Sequence, residues 1–250
     1  MFGPWNHLKD GIVRAYGLFG SSTGLSQVLL LPILTLVSFF LVKRNLKEKT
    51  LTLIFLFLFL SFLYIAKIRN PILALCFSIM FFFILKSFRK ISFVRFMLLF
   101  VVFFSLSLFL INLLSLLGIG DLSSQARIPM LLKFYHNFIM NPFGYGVGST
   151  GNLTSYKYFY ESSFATIFSD LGLFFGLFFY IFFLRIAYLS YRNFIFLNGE
   201  TDKILSLSLF FIIICLLFLT NFSNIFDSTL FIFVVYMYSL MRRPFLKENL

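Results

Sequence analysis

Charged side chains are what this sequence most lacks. Asp, Glu, Lys and Arg together make up 12% of the 250 residues, and only nine residues are acidic. An ordinary soluble domain carries about a quarter of its residues as charges, so a charged, water-facing surface over the whole chain is excluded. Cysteine is nearly absent: Cys76 and Cys215 both lie inside apolar runs, which argues against a disulfide framework and says little about redox compartment. Residues 1–20 hold no continuous apolar core, so no cleavable signal peptide is visible there. No internal repeat and no low-complexity linker interrupts the chain. What is present is apolar bulk: 60% hydrophobic and 22% aromatic residues, with a mean hydropathy of +0.96. The composition predicts an integral membrane protein, with 1–250 forming a single membrane domain.

The expected fold is all-α, a polytopic transmembrane helix bundle of about seven spans. Cutting at polar punctuation leaves runs over 23–42, 51–66, 71–85, 96–117, 164–186, 204–220 and 229–241, to be set against the ~20 residues that cross about 30 Å of hydrocarbon. The third and seventh are short and need flanking residues or a thinned bilayer. Pro32 predicts a kink that a bundle can accommodate. The net charge of +12 would suggest nucleic acid in a soluble chain. Here the basic residues cluster between apolar runs, so they read as topology determinants and no nucleic-acid partner is expected. Alternate connections divide the 21 Lys and Arg two to one. The richer side, with 43–49, 86–95, 185–203 and 242–247, is cytoplasmic by the positive-inside rule. That places the longest connection, 118–163, outside, together with residues 1–22. The latter have no preceding span to carry them out, so either the first span inserts with its N-terminus outward or the chain is the later part of a longer protein.

The outer connection holds most of the chemistry. From Arg127, apolar residues at Ile128, Leu131, Leu132, Tyr135, Phe138 and Ile139 have helical spacing and predict an amphipathic helix at the membrane surface, ended by Asn141 and Pro142. Arg127, Lys133 and His136 lie on or near its polar side. Next comes GYGVGSTG, with Gly144, Gly146, Gly148 and Gly151. Alternating glycines permit positive φ and close approach of another molecule, and successive amides can form an anion nest; a plain flexible loop explains the same residues. No strand precedes this stretch and no GK[ST] follows, which excludes both the dinucleotide fingerprint and the P-loop. Tyr156, Tyr158 and Tyr160 suit an interfacial aromatic belt or sugar stacking. Glu161 suits a helix N-terminus, and Ser162 or Ser163 an N-cap. Asp170 lies seven residues into the fifth run, and an intramembrane acid is either functional or paired with a base of the bundle. Arg14 and Arg69 flank spans in the other outer connections, where a basic side chain either snorkels or joins Arg127 on a phosphate.

An Arg-led amphipathic helix followed by NPFGYGVGS and YESSFATIFSDLGLFFG, with RAYGLFGSSTG and IRNP upstream, resembles the Wzy-type repeat-unit polymerases and the related O-antigen ligases of bacterial surface polysaccharide assembly. Those families usually have more spans, and the chain looks like their later half. The resemblance implies a multi-pass enzyme of the cytoplasmic membrane, facing outside, that acts on polyprenyl diphosphate-linked oligosaccharide with neither cofactor nor metal. Residues 118–163 would be its catalytic loop. Membrane lipid and other polysaccharide-assembly membrane proteins would be its partners. By residue matching, Arg14, Arg69 and Arg127 would clamp the diphosphate, and Gly144, Gly146, Gly148, Tyr160 and Asp170 would line the substrate. Arginines placed on the leaving diphosphate would stabilise its developing charge. Either His136 or Glu161 could take the proton from the attacking sugar hydroxyl, and an outer-loop histidine in the ligases favours His136. The competing expectations are a transporter or flippase of lipid-linked sugars, which would hold polar groups near the midplane on broken helices, and a non-catalytic truncated polymerase.

Overall fold

The computed structural model describes residues 8–9, 12–13, 22–65, 69–88, 91–116, 132, 134–146 and 162–220. Apart from a two-residue antiparallel pair, Leu8–Lys9 with Ile12–Val13, its regular structure is helical. The helices are α1 (Ser22–Val42), α2 (Leu46–Ile65), α3 (Arg69–Lys86), α4 (Phe93–Leu116), α5 (residues 134–140), α6 (Ser163–Phe196) and α7 (Glu200–Leu219). Six of the seven expected runs are therefore helical, and α1 continues through Pro32. The run over 229–241 lies outside the described residues.

Local chemistry fixes the helix starts. Asn45 caps α2 by accepting the Lys47 amide on its side-chain oxygen at 3.1 Å, and Ser92 caps α4 by accepting the Arg95 amide at 3.4 Å. Glu200 and Asp202 lie in the first turn of α7, where the helix dipole favours acids. Several serine hydroxyls within the apolar helices turn back on their own backbone. Ser38, Ser61, Ser190 and Ser208 each donate to the carbonyl four residues earlier, which spares a greasy helix an unsatisfied polar group.

Two compact units are present, with boundaries inside α3, α6 and α7. The first contains 1–79, 186–216 and 225–250, and the second 80–185 and 217–224. In the first, α1 packs along α2, with Leu30, Ile33, Leu34 and Leu63 buried. Lys43, just past α1, forms ion pairs with Glu48 at 3.1 Å and Glu200 at 3.0 Å. That brings the α1–α2 and α6–α7 connections to one end of the unit. In the second unit Phe81 is fully buried, its ring meeting those of Phe96, Phe100 and Phe103 at 5.6, 5.7 and 5.9 Å. The Arg185 guanidinium lies over the Phe93 ring at 5.1 Å, so the start of α4 and the basic part of α6 meet there.

Large apolar side chains are exposed along whole helix faces. On α4 these are Val94, Leu98, Val101 and Val102, and on α6 they are Phe174, Phe175, Phe178, Ile181 and Phe182. Contiguous apolar surface of this kind is foreign to a water-bathed monomer. Among the described residues, Ser163–Phe196 and Glu200–Leu219 are long and apolar enough to cross a membrane, with shorter apolar stretches over Val28–Val42, Asn70–Lys86 and Phe93–Leu106.

The fifth expected span is corrected in one respect. Residues 164–186 do not form one straight helix, because α6 contains a non-helical residue, Gly172, at φ 73° and ψ −176°. Residues sixteen apart in a straight helix are separated by about 24 Å, yet the rings of Phe164 and Tyr180 lie 5.6 Å apart. Phe168 stacks on Tyr180 at 5.8 Å and also abuts Gly176. These pairs are arranged about Gly172, so α6 folds back there into two arms, 163–171 and 173–196. The second arm alone is roughly 36 Å long at 1.5 Å per residue, enough for one crossing.

Candidate functional site

The turn of α6 is where the polar connection and the apolar helices meet. Helix α5 runs parallel to the first arm of α6, as successive ring pairs show: Phe134 with Phe164 at 6.0 Å, then Phe138 with Phe168 at 6.1 Å. The expected helix stop follows. The Asn141 amide donates to the Asn137 carbonyl at 3.0 Å, and the chain then turns through Pro142 and Phe143. The Asn141 side-chain amide donates to the Gly144 carbonyl at 2.9 Å, which closes the turn.

Turn 142–146 then fits into the fold of α6. In an unbroken helix the Leu173 amide would donate to the Ser169 carbonyl. Instead it donates to the Pro142 carbonyl at 2.8 Å, and the Ser169 carbonyl accepts the Tyr145 amide at 2.7 Å. The Asp170 carbonyl accepts the Gly146 amide at 3.1 Å. The polar groups released by the break are thus taken up by the turn, which is the condition for irregular backbone beside apolar helices. Glycine is required on both sides. A Cβ on Gly144, at φ 86°, would lie 2.5 Å from the Gly172 nitrogen and 2.6 Å from the Asp170 carbonyl oxygen, and a Cβ on Gly172 would strike the Phe143 carbonyl. Gly146, at φ 96°, faces open space.

The first arm begins in a second polar cluster. Ser162 is the N-cap of α6, accepting the Ala165 amide on Oγ at 3.4 Å while donating to the Thr220 carbonyl at 3.0 Å. The Phe164 amide also donates to that carbonyl, at 2.9 Å. Tyr180 Oη donates to Thr220 Oγ1 at 2.9 Å, and Thr220 Oγ1 donates onward to the Leu217 carbonyl at 2.7 Å. Farther along the first arm, Ser169 Oγ is buried with no hydrogen-bond partner among the described residues.

The residues expected to act are distributed as follows. Gly144 and Gly146 have the positive φ that glycine permits, but the close approach at Gly144 is made by the chain's own α6. Asp170, half-buried, lies two residues before the reversal rather than deep along a straight span. His136 is exposed on α5, off the face that carries Phe134 and Phe138. Arg69 opens α3. Arg14, Arg127, Gly148, Tyr160 and Glu161 lie outside the described residues, as do residues 118–131, 133 and 147–161 of the expected interfacial helix and loop. Tyr180, Thr220 and the structural part of Gly172 join the site without having been marked by the sequence pattern. The one available signal was a glycine interrupting an apolar run. Among the described residues no group of His, Cys, Asp and Glu could hold a metal ion.

The chain matches no protein-family model, no curated protein and no solved structure.

Proposed function

We propose that the chain is a multi-pass membrane glycosyltransferase of the Wzy type, which polymerises or ligates polyprenyl diphosphate-linked oligosaccharide on the outer face of a bacterial cytoplasmic membrane. The observation that supports this reading is where the polar groups collect. The turn 141–146, Asp170 and the α5 helix bearing His136 lie together at the fold of α6, while Arg185 and Arg192 lie farther along its second arm. An enzyme that meets a lipid-linked sugar at the membrane surface needs its polar groups at one end of the bundle. Arg14, Arg69 and Arg127 would hold the diphosphate and stabilise the charge released as the glycosidic bond breaks. His136, or else Glu161, would take the proton of the attacking sugar hydroxyl.

The rival reading as a transporter gains one point from the broken helix, since broken helices carry binding sites in transporters. Against it, the carbonyls of Ser169 and Asp170 and the amide of Leu173 already have protein partners. The deciding experiment incubates the purified protein in nanodiscs with lipid diphosphate-linked repeat units. A ladder of products is expected for a polymerase, and transfer to a second lipid for a ligase. Movement of the lipid-linked sugar across proteoliposomes with no new glycosidic bond would favour the transporter.

A further inference from the structure

We infer that turn 141–146 is a fixed clasp that makes α5, the first arm of α6 and residues 173–185 of its second arm one rigid body, with Gly144 and Gly172 as its positioning residues. This assigns a static part to glycines that would otherwise be read as a closing, ligand-facing loop. Only the consequence for His136 rests on the proposed function; the clasp itself does not.

Three observations carry it. The hydrogen bonds are reciprocal: turn 142–146 donates twice to α6, from Tyr145 and Gly146, and accepts once, from Leu173 to Pro142. A lid that opened would therefore strand groups on both sides of the break. The steric fit is reciprocal too, since the Cβ position of Gly144 is filled by the backbone at Asp170 and Gly172, and that of Gly172 by the backbone at Pro142 and Phe143. Backbone cannot give way as a flexible side chain can. Finally, aromatic pairs continue the contact on either side of the clasp. Phe134 and Phe138 meet Phe164 and Phe168 on the first arm, and Phe143 stacks on Phe174 of the second at 6.4 Å. His136 lies on α5 between Phe134 and Phe138 and is therefore carried with α6, so any closure over a bound substrate falls to segments other than 134–146.

Gly146 supplies an internal control. It has a positive φ like Gly144, but an added Cβ meets nothing within 4 Å. A Gly146→Ala variant thus incurs backbone strain without displacing the clasp.

The test uses the full chain in nanodiscs, with Cys76→Ser to remove the exposed thiol and nitroxides at Met140 and Ile181, both exposed. Dipolar spectroscopy should give one narrow distance in the parent protein and in Gly146→Ala, and a broadened or longer one in Gly144→Ala. Hydrogen exchange on the parent protein gives a measurement that needs no folded variant. The amides of Tyr145, Gly146 and Leu173 should all exchange at least about 100-fold more slowly than unstructured chain. A broad or two-peaked distance in the parent protein would overturn the clasp. So would fast exchange at Tyr145 and Gly146 beside a protected Leu173, or a Gly144→Ala variant that keeps the narrow distance. Since no substrate is present, failure here leaves the glycosyltransferase reading untouched, and failure of that reading leaves the clasp standing.

Discussion

Replacing Gly172 by alanine probes the fold of α6 at its most constrained point. At φ 73° and ψ −176° the residue occupies a region open essentially to glycine alone, and a side chain there costs about 1–3 kcal/mol. The new methyl group would also collide with the Phe143 carbonyl and lie 2.8 Å from the Pro142 oxygen, so turn 142–146 must withdraw. Withdrawal breaks the Tyr145, Gly146 and Leu173 hydrogen bonds, each contributing about 0.5–1.5 kcal/mol net. Strain and lost bonds together come to roughly 3–7 kcal/mol, a large part of the ~5–15 kcal/mol by which a folded domain is stable. Followed by circular dichroism in detergent, thermal unfolding should shift down by roughly 10–20 °C, at the ~2–4 °C per kcal/mol typical of a chain this size. Gly146→Ala, which meets no atom, should fall by only a few degrees. A Gly172→Ala protein melting within about 3 °C of the parent would refute the reasoning, because neither the strain nor the clash could then be real.

Three further outcomes follow from named contacts. Thr220→Val removes the acceptor of the Tyr180 hydroxyl and should destabilise by about 1–3 kcal/mol, whereas Tyr180→Phe, which leaves Thr220 bonded to the Leu217 carbonyl, should cost only about 1 kcal/mol; thermal melts of the two variants, ranked in that order, are the check. Hydrogen bonds to Glu200, then to Glu48, hold the Lys43 ammonium above its ordinary pKa. A raised folded pKa means that the stabilisation is fully present below pH 10.5, the unfolded value, and is lost as pH rises through the folded value. Melting temperature measured from pH 8 upward should therefore fall more steeply at the alkaline end in the parent than in Lys43→Met, and parallel curves would contradict it. If His136 is the general base of the proposed reaction, His136→Ala should slow polymer formation by about 100- to 10,000-fold while leaving the melting temperature unchanged, since the side chain is exposed on α5.

Helix placement was legible because apolar runs of crossing length leave the backbone few alternatives, and α1 and α4 begin and end within three residues of the run boundaries. Positive φ at Gly144 and Gly146 was legible only as a possibility, because a residue without a Cβ adopts it at little cost. The reversal at Gly172 was not. An apolar run of one span's length containing a glycine describes a straight helix equally well, and the choice is made by hydrogen bonds from a turn some thirty residues upstream. The partner of Gly144 was hidden likewise: the spacing of glycines announces close approach without naming what approaches. Ser162 was readable as one of two possible caps, but its bond to Thr220 joins residues 58 positions apart, and no periodicity carries that. Lys43 was readable as a topology marker, whereas its pairing with Glu200 depends on two connections meeting in space.

The side of the membrane on which the α6 fold lies offers the most direct test. Cysteines replacing Tyr145, Asp170 or Arg192 one at a time, in a Cys76→Ser background that keeps only the buried Cys215, would be challenged with a membrane-impermeant maleimide, first on intact cells and then on permeabilised ones. On the topology proposed above, Tyr145→Cys and Asp170→Cys should react from outside, and Arg192→Cys only after permeabilisation. An Asp170→Cys protein that resists the reagent under both conditions would restore a straight fifth span with its acid at depth, and labelling of Tyr145→Cys and Arg192→Cys from the same side would contradict the crossing altogether.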